Sequence, residues 1–152
     1  QFTSFLNDAP IDQELVVRST QVHALMPMMQ FSVAPWRILD ERHFNAVLDA
    51  VNLRDKFKET ILRLAKKAST NGEPIVRSLE YVYPHKGYDD IIDQFMLGNN
   101  ILVAPFLSKG EGSRKVVLPK GNWKSDTGKV YNGGKTITVN VPLRRLPYFI
   151  KE

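Results

Sequence analysis

The sequence predicts an α/β first half followed by an all-β second half, and three features carry that prediction. Apolar residues recur every three to four positions through much of the stretch before Gly72, the repeat that lines side chains along one face of a helix. After Gly72 the chain breaks into short runs of β-branched and aromatic residues, which suit half-buried strands. Between those runs lie Asn-Gly and Thr-Gly steps, which supply the positive φ that tight hairpins need. At 152 residues the chain suffices for one domain, or for two small halves, with a sizeable core.

Residues 12–25, DQELVVRSTQVHAL, predict a helix. Leu15, Val22 and Leu25 fall near one face, and the acidic start suits the positive end of the helix dipole. Pro27 ends it. The stretch MMQFSV is short, apolar and bounded by prolines, so it predicts a buried strand with Met26, Met28 and Met29 as adaptable core filler. From Leu39 onward, Phe57, Ile61, Leu64, Ala65 and Ala68 keep helical spacing. Asp40 suits the cap of a short helix near 40–50, Asn52 that of a longer one, and Asn71-Gly72 its C-terminal cap.

Beyond Gly72, PIVRSLEYVYP, ILVAPF and KVVLP predict strands, and KTITVNV alternates with Ile137, Val139 and Val141 on one face. With KGN, DTGK and NGGK as turns, residues from about 99 to 151 predict an antiparallel unit made of hairpins, turning near Gly121 and at Asn132-Gly133-Gly134. Trp123, beside a Gly-Asn turn, is expected to anchor the hairpin core rather than to contact a ligand.

Composition narrows the function. The chain is 43% hydrophobic and 24% charged, ordinary for a soluble globular protein, and no run approaches the roughly 18 apolar residues a membrane span needs. Its net charge of +5 comes from scattered residues; the densest runs are the pairs Lys66-Lys67 and Arg144-Arg145, without the aromatic-interleaved stripe of an RNA-binding surface, so nucleic acid is not expected as a partner. There is no cysteine, hence no disulfide or thiolate chemistry. His23, His43 and His85 lack metal-ligand spacing, so neither metal nor cofactor is expected. Asp89, Asp90 and Asp93 read as a solvated helix start, with Asp89 or Asp90 as the cap. The opening QFTSFLNDAP reads as if cut from something longer, without a signal peptide, and no compartment is assigned.

Five segments then stand in a telling order: ELVVRSTQ leading into MPMMQFS; a long helix followed by GEPIVRSLEYVYP; DQFMLGNNILVAPF; RKVVLPKGNWKSDTGKVYNGG; and VPLRRLPYFI. Together they resemble the C-terminal part of glycoside hydrolase family 31, the α-glucosidase and α-xylosidase family. The resemblance covers nearly the whole chain. It implies the last strand and helices of a (β/α)8 barrel in residues 1–80, followed by a proximal antiparallel β-sandwich domain in residues 81–152. MPMMQFS would be the eighth barrel strand, with VAPWR as the loop leaving it at the catalytic mouth.

The family hydrolyses α-linked sugars with retention, through a nucleophilic carboxylate and an acid/base carboxylate. By the family's order both lie upstream of residue 1, so no catalytic residue is expected here. The substrate-binding residues implied are Gln30, Ser32, Trp36 and Arg37. Many family members place an arginine and a histidine where Gln30 and Ser32 stand, so the hydroxyl-binding groups here are uncharged. Trp36 and Arg37 could instead brace the rim, Arg37 pairing with Glu41. The Phe57–Ala68 stripe is expected to leave apolar surface exposed, so the partners implied are a carbohydrate substrate and either the rest of the enzyme or a second copy. The rival reading is a non-catalytic carbohydrate-binding or interaction module with helices packed on a β-sandwich.

Overall fold

The computed structural model describes residues 10–152; the opening segment 1–9 lies outside the described residues. Helix α1 spans Gln13–Ala24, with the Asp12 carboxylate accepting from the Leu15 amide at 3.2 Å. Its buried residues are Val16, Val17, Arg18, Thr20, Gln21 and Ala24. Leu15, expected on the inner face, is instead 57% exposed, because the helix is covered on two sides and its polar residues meet backbone partners there.

Residues 26–34 form no strand, contrary to the expectation for MPMMQFS. A strand exists through its ladder, and no described strand runs beside this stretch. Arg54 fixes its start instead, donating to the carbonyls of His23, Ala24, Met26 and Pro27 at 3.4, 3.2, 2.6 and 2.9 Å. The methionines are not core: Met28 is 80% exposed, and Met26 and Met29 are half-buried. A single 3-10 turn, Pro35–Arg37, follows.

Helix α2, Glu41–Asn71, is continuous. Neither proline nor glycine interrupts it, so one helix forms where two caps had offered two, and Asn52 is interior. Asp40 caps the start, and Gly72, at φ 73°, closes the end with its amide on the Ala68 carbonyl. Phe57, Ile61 and Leu64 are buried against Leu97, Ile101, Val103 and Tyr148. The stripe is therefore covered within the chain by a sheet, not left exposed.

That sheet has six strands in the order β1 (Val76–Arg77), β2 (Phe95–Leu97), β3 (Ile101–Val103), β8 (Tyr148–Lys151), β5 (Asn122–Ser125) and β6 (Val130–Asn132). A second sheet pairs β4 (Gly112–Leu118) with β7 (Lys135–Val141). Every pairing is antiparallel. Alternation splits the large sheet's side chains between two cores. One face meets α2, while Met96, Leu102, Trp123 and Phe149 on the other share a core with Val116, Leu118, Val139 and Val141 of the small sheet. The pairing is less local than expected: β3 joins β8 and β4 joins β7, with the β5–β6 hairpin between them.

Two further expectations fail for local reasons. PIVRSLEYVYP yields only the two-residue β1, because Ser78 caps a short helix α3, Leu79–Val82. Residues 89–93 form a turn rather than a helix start. There Asp93 pairs with the buried Arg114 guanidinium at 2.8 Å, which also donates to the Asp93 and Pro105 carbonyls. Burial pushes the Arg114 pKa down while Asp93 pulls it up. Trp123 is fully buried, its indole N–H donating to the Pro119 carbonyl at 2.7 Å, as an anchor should.

Candidate functional site

A cavity of about 310 Å3 opens between α1 and the strandless stretch that follows it. Val16, Ser19, Thr20 and His23 of α1 form one wall. Met28, Met29, Gln30, Phe31, Ser32 and Val33 form the other, with Ile11, Pro35 and Ile38 completing the lining. Among the described residues no carboxylate, lysine or arginine lines it. The walls offer hydroxyls, one carboxamide and one imidazole against apolar surface, the mixture that suits an uncharged polyhydroxylated ligand.

The four residues singled out in the sequence part company here. Gln30 and Ser32 line the cavity. Trp36, 70% exposed, and Arg37, also exposed, lie on the 3-10 turn beyond the lining. Among the described residues no ion pair joins Arg37 to Glu41, and no group of three or more His, Asp or Glu side chains could hold a metal. His23 is exposed and its Nδ1 lies 2.7 Å from the Ser19 carbonyl oxygen. No described helix is long and apolar enough to cross a membrane.

Reading the sequence missed what holds the walls. Besides Arg54, the polar residues Glu14, Arg18 and Gln21 tie α1 to the β unit. The Gly110 amide donates to both Glu14 carboxylate oxygens at 2.9 Å. Arg18 reaches the Gly110 carbonyl at 3.2 Å, the Gln21 carboxamide oxygen at 3.2 Å and Glu14 at 3.4 Å, and lies 4.9 Å from the centre of the Phe106 ring. Burial lowers the Arg18 pKa, opposed by the Glu14 charge. Gln21 donates to the Leu143 carbonyl at 2.6 Å. Nearby, Lys109 pairs with Asp12 at 2.8 Å, which holds the Asp12 carboxyl below the usual carboxylate range and lifts the lysine. The spacing of Glu14, Arg18 and Gln21 was the available signal: i, i+4, i+7 is a helical stripe of polar residues.

Two packed antiparallel sheets carrying a helical pair are the class the fold defines. Residues 72–152 match the family described as Glycosyl hydrolase family 31 C-terminal domain. The chain belongs to glycoside hydrolase family 31. The Myogenesis-regulating glycosidase of Mus musculus is 36% identical over 141 residues, 91% of this chain and 20% of that protein. Alpha-glucosidase 2 of Bacillus thermoamyloliquefaciens is 30% identical over 91% of this chain and 19% of its own length. A solved GH31 alpha-xylosidase from a soil metagenome, complexed with xylose, superposes with a TM-score of 0.82 at 30% identity, over 92% of this chain and 25% of that one. The chain thus spans about a fifth of the length of the curated relatives it matches.

Proposed function

We propose that this chain is the C-terminal part of a retaining glycoside hydrolase acting on α-linked sugars. In this reading residues 1–80 supply the last strand and helices of a (β/α)8 catalytic barrel, and residues 81–152 form the proximal β-sandwich that braces it. The observation that carries the reading is that likeness to an α-xylosidase extends over 92% of the chain, well beyond the matched residues 72–152. The strandless stretch 28–33 would gain its ladder from neighbouring barrel strands. The exposed Met28, Phe31 and Trp36 would be covered by the rest of the enzyme, or by a second copy when the piece stands alone.

Retaining hydrolysis needs two carboxyl groups about 5 to 5.5 Å apart, one attacking the anomeric carbon and the other protonating the leaving oxygen and then activating water. Neither is supplied by the described residues that line this cavity. What Gln30 and Ser32 supply is orientation: the carboxamide can donate and accept, the hydroxyl can do both, and together they fix sugar hydroxyls without charge. Trp36 would offer an apolar ring face to a sugar at the rim, and Arg37 its donors.

The test is turnover of a panel of aryl α-glycosides by the whole protein that contains this chain, with the anomer of the first product read by proton NMR. The proposal expects the α-anomer first, and no turnover by the 152-residue chain alone. Inversion, or hydrolysis by the chain alone that disappears on changing one of its carboxylates, would overturn it. The rival binding-module reading expects sugar binding by the whole protein without any turnover.

A further inference from the structure

Helix α1 carries two stripes. Val16, Thr20 and His23 line the cavity, whereas Glu14, Arg18 and Gln21 bind the β unit. The stripes have the same spacing and are offset by two residues, about 200° around the helix axis. One side of the helix therefore faces the cavity while the other is fastened to the loop at Gly110 and to the backbone at Leu143.

The fastening is unusual for its burial. Arg18 is 6% and Gln21 2% exposed, on a helix whose inner face could have been apolar. A buried carboxamide and guanidinium make costly packing material unless their partners are held in one geometry. Gln21 links the two ends of the network, donating to Leu143 while its oxygen accepts from Arg18. Apolar contacts of Val16 and Val17 with Ala46, Val47 and Leu143 give adhesion but permit small slides. Directed hydrogen bonds fix the helix's rotation and axial position, and those set where Ser19, Thr20 and His23 stand in the cavity.

We infer that Arg18 and Gln21 are positioning residues, through which the β unit fixes the α1 wall of the sugar cavity. The inference rests on the reading of that cavity as a sugar site. It assigns the β unit a part in substrate recognition without a single contact to substrate.

The experiment compares Arg18→Lys and Gln21→Glu in the whole protein, with Lys58→Gln as control. Lys58 pairs with Asp55 on the exposed surface of α2 and lies outside the network. Kinetics on the aryl α-glycoside that the protein hydrolyses are normalised to folded protein, and amide exchange is followed over 13–24. Both test variants should lower kcat/KM about tenfold, mainly through KM, and speed exchange in α1 but not α2. In Gln21→Glu the ionised carboxylate cannot donate to Leu143; lowering the pH restores the donor, so the deficit relative to wild type should shrink. The control should match wild type throughout.

A lower melting temperature with unchanged kcat/KM per folded molecule would overturn the inference, as would unchanged exchange in α1. Gln30→Ala and Ser32→Ala, run in parallel, separate the two failures. If they too leave kcat/KM unchanged, the sugar-site reading falls and the inference with it. If they lower it while Arg18→Lys and Gln21→Glu do not, the positioning role alone is wrong.

Discussion

A Cβ on Gly133 would stand 1.8 Å from the Pro119 carbonyl oxygen, and at Gly128 it would meet nothing within 4 Å. The two turn glycines thus resist a side chain for different reasons. Gly128→Ala should cost about 1 to 2 kcal/mol, the strain of φ +83° alone. Gly133→Ala should cost more, because the Pro119 carbonyl must move and it accepts the Trp123 indole hydrogen; leaving that acceptor unpaired adds about 1 to 3 kcal/mol. Denaturant midpoints of the two variants decide the order. Acid sensitivity is also a matter of single residues. The Asp40 carboxyl is held below its usual range first by the His43 amide and then by the His43 ring. Since folding lowers that pKa, the cap's contribution is complete above the unfolded carboxyl's value, near 4, and is lost as pH falls through the lower folded value. Asp40→Asn still caps a helix but does not titrate. Its stability should therefore fall less steeply than wild type below about pH 4, as read by thermal melts across that range.

At the scale of elements, α2 is the joint between the two halves. Phe57 packs edge-on against Tyr148, with ring centroids 5.2 Å apart, so Phe57→Ala should cost about 3 to 5 kcal/mol, measured by denaturant unfolding. Arg54, on the same helix, works differently, holding carbonyls just ahead of the cavity wall. Arg54→Lys keeps the charge and loses the fork, so amide exchange should quicken at Met26, whose amide donates to the His23 carbonyl, while the global midpoint moves little. What was legible in the sequence follows the same division. The cap at Gly72, the anchor Trp123 and the alternation of Ile137, Val139 and Val141 depend on chemistry within a few residues, and each appears as read. The strand expected at MMQFSV depends on partners that sequence periodicity does not name, and Ser78 turned a β-rich run into a helix by one hydroxyl. Gln30 and Ser32, singled out by family resemblance, line the cavity. Arg18, Gln21 and Arg54 escaped because long-range bonds to backbone carbonyls leave no local pattern beyond their spacing.

At the scale of the whole molecule, the helical pair and the two sheets form a braced unit whose α2 stripe is satisfied internally, while Met28, Phe31 and Trp36 are left exposed. In the proposed function that asymmetry is the one expected of a piece that supplies one wall of a larger sugar site and leaves the acid/base chemistry to the remainder. The most direct measurement is kcat/KM of the whole protein across aryl α-glycosides for Gln30→Ala and Ser32→Ala, together with their melting temperatures. The account predicts a barrier raised by about 1 to 3 kcal/mol in each variant, the usual cost of an unpaired hydrogen-bonding group, with melting temperatures close to wild type. Unchanged kcat/KM across every substrate the protein hydrolyses would contradict it.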